Sequence, residues 1–87
     1  MPSSSFLAKL EALPLGACQG TYRDRTYLVS KEVLGDGKII KLYARETDGR
    51  DFVSANVYLV RGEWRLKPCE MPAQKVVRFV DEVRLGS

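Results

Sequence analysis

The chain has 87 residues, which is enough for one compact domain but not for two independent hydrophobic cores. Hydrophobic residues make up 45% of it and charged residues 29%, a balance that excludes an intrinsically disordered chain. The net charge is +3 with both signs interleaved, so charge alone indicates no partner, and histidine, the commonest general base and metal ligand, is absent.

Neither a membrane-spanning segment nor a secretory leader is predicted. The longest uninterrupted apolar run covers residues 57–60, whereas a transmembrane helix needs about 20 apolar residues. The first residues, Met1, Pro2 and three serines, lack the basic and apolar regions of a signal peptide. We therefore expect a cytoplasmic protein that does not bind a membrane.

A short amphipathic helix is predicted at residues 5–13. Ser5 is a suitable N-cap, and Pro14 with Gly16 ends the helical pattern. The apolar residues that share one face of this helix are Phe6, Leu7, Leu10 and Leu13.

Residues 18–67 have the alternating pattern of β-strands. Five strands are predicted at about 18–23, 26–34, 38–46, 52–60 and 63–67. The turn residues between them are Asp24, Gly35-Asp36-Gly37, Asp48-Gly49 and Arg61-Gly62.

Two-residue loops at the last three turns predict the strand register. They place Val33 opposite Ile40, Ile40 opposite Val57 and Val57 opposite Leu66, so that one apolar face continues across four strands. In this register Lys31 falls on the apolar face opposite Leu42, and we expect it near an edge or reaching solvent. A bulge near Gly35 is the alternative.

The first hairpin is predicted to turn at Asp24-Arg25. This loop places Tyr22 opposite Tyr27 and Gly20 opposite Val29, where the missing side chain of Gly20 would let the first helix approach closely.

A second helix is predicted at residues 72–84, with Pro72 at its first position. Its apolar residues recur at helical spacing: Val76, Val77, Phe79, Val80 and Val83. The fold class is therefore α+β: an antiparallel five-stranded meander sheet with N- and C-terminal helices packed on one face, in a single domain of residues 1–87.

The sheet face opposite the helices is predicted to be open, basic and aromatic. Glu32 is its central acidic group, and Ser54 also lies on it. The predicted binding residues are Lys41, Tyr43, Arg45, Phe52, Asn56, Tyr58, Arg65 and Lys67.

Three interpretations of this face remain open. It is a solvated surface stabilised by cross-strand pairs such as Tyr58 with Arg65, a contact with an identical chain or another protein, or a platform for single-stranded nucleic acid. We expect a small non-enzymatic interaction domain that self-associates.

The alternative function is a thiol-dependent enzyme centred on Cys69. This residue lies just before the second helix, where a helix dipole stabilises a thiolate, although a half-buried structural thiol packed under that helix is the favoured explanation. Cys18 is about four strand spacings away, roughly 19 Å, unless the sheet closes into a barrel, so a disulfide is not expected. The turn aspartates Asp24, Asp36, Asp48 and Asp51 have no metal-binding spacing, and we predict neither a metal nor a cofactor.

Three segments carry a resemblance to a known family: Ala12-Leu13-Pro14-Leu15-Gly16, Gly20-Thr21-Tyr22 and Leu66-Lys67-Pro68-Cys69-Glu70-Met71-Pro72. Together they resemble a family of small bacterial single-domain proteins of uncharacterised function. Some relatives are labelled peptide methionine sulfoxide reductase, which would imply a nucleophilic cysteine. The Gly-Cys-Phe-Trp run of one class of those reductases is absent here.

Overall fold

An antiparallel sheet with two helices on one face forms the protein, in a computed structural model that describes residues 2–86. The helices are α1 (Ser4–Ala12) and α2 (Ala73–Glu82). The strands are β1 (Gly16–Tyr22), β2 (Arg25–Leu34), β3 (Ile39–Glu46), β4 (Phe52–Val60), β5 (Glu63–Pro68) and β6 (Arg84–Leu85). Their order in the sheet is β5-β4-β3-β2-β1-β6. The predicted α+β class and meander are confirmed, but the sheet has six strands instead of five.

The helix α1 begins one residue earlier than predicted, and its N-cap lies two residues earlier. Its N-cap is Ser3, whose hydroxyl accepts a hydrogen bond of 3.1 Å from the backbone N–H of Phe6. Ser3 and Ser5 are both chemically suitable caps, so the sequence alone does not choose between them. The predicted apolar face is confirmed, because Phe6, Leu10 and Leu13 are buried.

The register of β2 to β5 is as predicted. Val33 pairs with Ile40, Ile40 with Val57, and Val57 with Leu66. The Asp36-Gly37 turn is closed by a hydrogen bond of 3.2 Å from the backbone N–H of Lys38 to the carbonyl of Gly35. The β2–β3 pairing runs without interruption to Leu34 and Ile39, so there is no bulge near Gly35.

The first hairpin turns at Arg23-Asp24 and not at Asp24-Arg25. Both residues have positive φ, 51° and 65°, as a two-residue type I′ turn requires. The register is therefore shifted by two residues, with Tyr22 opposite Arg25 and Gly20 opposite Tyr27. Since a shift of two preserves the face on which each side chain lies, Tyr22 and Tyr27 still point into the core.

The core lies between the helices and one face of the sheet. Phe79 of α2 is fully buried, and its ring meets those of Tyr22 and Tyr27 at centroid distances of 5.0 and 5.3 Å. Burial of each such ring contributes about 2–3 kcal/mol. This aromatic cluster joins α2 to the first hairpin.

The sixth strand follows directly from α2. Pro72 is the N-cap of α2, whereas it was predicted to be the first helical residue, so the helix begins at Ala73. The helix ends at Glu82, and Val83 is extended. Leu85 then pairs with Gly20, and Arg84 with Thr21. The C-terminal segment, and not the first helix, therefore approaches Gly20.

Lys31 is buried, contrary to the prediction that it reaches an edge or solvent. It lies opposite Leu42 as expected, but only 5% of its surface is exposed. Its ammonium donates hydrogen bonds to the carbonyls of Glu11, at 2.9 Å, and Leu13, at 2.8 Å. The last carbonyls of a helix have no hydrogen-bond donors within the helix. At the C-terminus of α1, Lys31 provides the donors that these carbonyls lack.

Candidate functional site

The face of the sheet opposite the helices is open in the described residues, 2–86. Its exposed cations are Lys41, Arg45, Arg65 and Lys67. Tyr43 is 46% exposed, and Phe52, Asn56 and Tyr58 are half-buried. All eight predicted binding residues therefore lie on one surface, which we call the open face.

Pairing across the strands arranges the open face in rows. One row contains Glu32, Lys41, Asn56 and Lys67 on β2, β3, β4 and β5. The next contains Leu34, Ile39, Tyr58 and Arg65 in the same strand order. Towards the other end, Leu28 pairs with Arg45, and Arg45 with Phe52.

Apolar side chains also contribute to the open face, and the sequence analysis did not count them. Leu28, Leu34 and Val60 are 42%, 43% and 41% exposed, and Ile39 is half-buried. The predicted register already assigns them to this side of the sheet. Side chains alternate between the two faces along a strand, and residues paired across strands share a face. The open face is therefore more apolar than its basic residues suggest.

Tyr43 and Phe52 lie side by side at one end of the open face. Their ring centroids are 6.5 Å apart, with an angle of 30° between the ring planes. The ammonium of Lys75 in α2 lies 5.9 Å from the Phe52 ring centroid. Phe52 is therefore at the border between the open face and the helix side.

A cavity of about 530 Å³ lies on the helix side of the molecule, and the sequence analysis did not predict it. The turn of the first hairpin, the start of β2, Asp51 and the first half of α2 form its walls. Four basic residues line it: Arg23, Arg25, Lys75 and Arg78. The sequence indicates only one part of this site: Lys75 and Arg78 are three residues apart and therefore lie on the same face of the predicted helix.

Asp51 is the acidic residue that lines this cavity, and both of its oxygens have partners. The Tyr27 hydroxyl donates to one oxygen and the Lys75 ammonium to the other, each at 2.5 Å. Burial works to raise the pKa of Asp51, but these two hydrogen bonds and the charge of Lys75 outweigh it and hold the pKa below its ordinary value. Burial and the hydrogen bond to Asp51 raise the pKa of Tyr27.

The two cysteines lie on different parts of the sheet. Cys18 belongs to β1, and Cys69 follows β5, with three strands between them in an open sheet. Both thiols are free, as expected from the strand order, and both are half-buried. The backbone N–H of Cys69 donates to the carbonyl of Ser54 at 2.9 Å, so the segment before α2 continues the edge of the sheet.

Two searches of the described residues concern metals and membranes. In residues 2–86, no three His, Cys, Asp or Glu side chains gather as metal ligands. Neither helix in that range has the length and apolar character needed to cross a membrane.

Comparison with known proteins found no matching family model, no similar curated protein and no similar solved structure. The resemblance to the small bacterial family therefore stays a prediction from the three quoted segments.

Proposed function

We propose that the protein is a non-enzymatic interaction domain that pairs with a second copy of itself through the open face. The observation that carries this proposal is the distribution of charged and apolar side chains on that face. Both helices cover the other side of the sheet, so the exposed apolar side chains of the open face have no covering element within residues 2–86, and contiguous exposed apolar surface marks interaction sites. The order of the residues in the rows indicates that the partner is a second copy of the same chain.

Two open faces can pack against each other about a two-fold axis that runs parallel to the strands, between β3 and β4. Aligned sheets pack about 10 Å apart, with strand directions within about 30°. This operation sets β2 over β5 of the second copy and β3 over β4, and it keeps each residue in its own row. Glu32 then faces Lys67 of the second copy, and Lys41 faces Asn56.

The same operation also pairs side chains of the other rows, where Leu34 faces Arg65 of the second copy and can pack along its aliphatic stem. Ile39 faces Tyr58 of the second copy, which joins two apolar side chains. Arg45 faces Phe52, a cation and an aromatic ring. Each contact occurs twice because the axis is two-fold. The face is thus complementary to itself although cations outnumber carboxylates on it.

The size of the surface sets the expected strength. Strands β2 to β5 present an area of about 20 by 25 Å, or roughly 500 Å² from each copy, given the spacing of strands and residues in a sheet. The total of about 1,000 Å² is near the lower limit for a specific interface. We therefore expect a reversible dimer whose population depends on protein concentration.

The test is sedimentation equilibrium with a charge exchange across the proposed contact. The wild-type chain is expected to dimerise, and Lys67→Glu or Glu32→Lys alone to weaken the dimer, because each places like charges together twice. The double variant, Glu32→Lys with Lys67→Glu, is expected to restore it. Arg50→Glu, in the exposed β3–β4 turn, is the matched control and should have no effect.

Two outcomes would contradict the proposal. One is a monomer at about 0.5 mM, where even a weak specific dimer forms. The other is a double variant as weakened as the single ones, because a face-to-face contact requires the exchange to be compensated.

Binding of single-stranded nucleic acid is a second candidate function, favoured by one observation. Three aromatic rings and four cations lie together on the open face, and bases stack on such rings while cations meet phosphates. Fluorescence anisotropy with a labelled oligonucleotide tests it. With four phosphate contacts, the logarithm of affinity should fall with that of salt at a slope of about −3. Binding that Tyr43→Ala with Tyr58→Ala does not weaken would contradict it.

A further inference from the structure

The basic cavity beside α2 is separate from the open face and has the dimensions of a ligand site. It lies on the helix side of the sheet, between the turn of the first hairpin and the first half of α2. Its volume of about 530 Å³ falls in the range of small-molecule sites, roughly 300–1,000 Å³.

Three arginines line this cavity from two parts of the fold. Arg23 lies in the turn of the first hairpin, Arg25 follows at the start of β2, and Arg78 comes from α2. The guanidinium of Arg23 lies 5.3 Å from the centroid of the Tyr22 ring, which supports its position. Arg78 makes no hydrogen bond or ion pair within residues 2–86.

Nearby carboxylates offset much of the positive charge at the cavity but leave hydrogen-bond donors of the arginines available. Both oxygens of Asp51 are taken by Tyr27 and Lys75, so this carboxylate is compensated by Lys75. Glu82 accepts one contact of 3.4 Å from Arg23, and Glu46 one of 3.5 Å from Arg25. Since a guanidinium has five N–H donors, these single long contacts leave donors of Arg23 and Arg25 for a ligand.

The N-terminus of α2 adds to the positive electrostatic potential in the cavity. Pro72 is its N-cap and lines the cavity, and within residues 2–86 no side chain accepts a hydrogen bond from the first backbone N–H groups of the helix. The positive end of the helix dipole therefore adds to the three guanidinium groups.

We infer that this cavity binds a phosphorylated small molecule through its phosphate group, held by Arg23, Arg25 and Arg78. A phosphate monoester carries a charge of nearly −2 at neutral pH and three terminal oxygens in a tetrahedral arrangement. A carboxylate offers two coplanar oxygens and one charge. Arginines that line the cavity from both the hairpin and the helix therefore match the phosphate better.

The test is a titration with inorganic phosphate and with pyrophosphate, followed by backbone amide NMR at low salt. Saturable binding with shifts at Gln74, Arg78 and the first hairpin is expected. Arg78→Gln should weaken it by at least about tenfold, because it removes a charge-assisted hydrogen bond. Arg78 has no partner in the described part of the chain, so the variant should keep its fold, which the NMR spectrum checks.

Arg65→Gln is the matched control, because it removes the same charge from the open face. It should leave the affinity for pyrophosphate unchanged. Equal weakening by both variants would reduce the effect to overall charge and overturn the inference. No saturation up to about 10 mM pyrophosphate, or equally tight binding of malonate, would overturn it as well.

Discussion

Lys31 is the residue whose behaviour departs most from the sequence pattern. The pattern placed it correctly opposite Leu42, but a lysine on an apolar face was expected to reach water. Its ammonium instead meets two carbonyls at the end of α1, a tertiary contact that strand periodicity does not encode. The predictable part was the strand register, and the missing part was where the helix ends above it.

Lys31→Met should lower the free energy of unfolding by about 1–3 kcal/mol at pH 7, because two buried carbonyls lose a charged donor. Urea unfolding measures this loss. Lys38→Met, at an exposed turn position, is the matched control and should change stability by less than about 0.5 kcal/mol. Equal stability of the Lys31→Met variant and the wild type would show that Lys31 does not stabilise the end of α1.

The same pair of proteins tests the effect of burial on Lys31. Burial lowers its pKa from the ordinary value of 10.5, and the charge of Glu11 opposes this shift. Between the two pKa values the folded state binds fewer protons than the unfolded state, so the stability of the wild type rises with pH there. Its advantage over Lys31→Met should therefore widen as the pH approaches 10.5 and then stay constant.

At the level of elements, turns that contain glycine were predictable and the others were not. Asp36-Gly37, Asp48-Gly49 and Arg61-Gly62 gave the correct register for four strands. The first hairpin turns at Arg23 and Asp24, which adopt positive φ without a glycine, so its register was wrong by two residues. The strand β6 was missed because two residues show no periodicity.

Gly20 is the residue of β1 that allows β6 to pack closely against this strand. A Cβ added at Gly20 would lie 3.1 Å from side-chain carbons of Val83 and Leu85 and 3.3 Å from the carbonyl oxygen of Arg84. The absence of a side chain at Gly20 therefore lets the C-terminal segment pair with β1.

Gly20→Ala should displace β6, and the crowding should cost about 1–2 kcal/mol of stability. Hydrogen exchange at Arg84 and Gly86, whose N–H groups face β1, should become faster, whereas Val80 in α2 should stay protected. Gln19→Ala, a change at an exposed position of the same strand, should leave that exchange unaltered. Unchanged exchange at Arg84 and Gly86 in Gly20→Ala would mean that β6 accommodates the methyl group.

At the scale of the whole molecule, the two candidate sites differ in how far the sequence predicted them. The eight residues of the open face follow from strand alternation and three turns, so they could be identified before the fold was known. The cavity combines Arg23 and Arg25 with Lys75 and Arg78, residues separated by about half the chain. Only the packing of α2 on Tyr22 and Tyr27 brings these cations together.

The proposed dimer makes the stability of the whole molecule depend on concentration, because dissociation accompanies unfolding. The thermal midpoint of the wild type should therefore rise by several degrees over a hundredfold increase in protein concentration. Trp64 can report unfolding without reporting dimer formation, since it packs against the core on the helix side. Lys67→Glu should remove the dependence, and Arg50→Glu should retain it. A midpoint that does not change with wild-type concentration would contradict the proposed dimer.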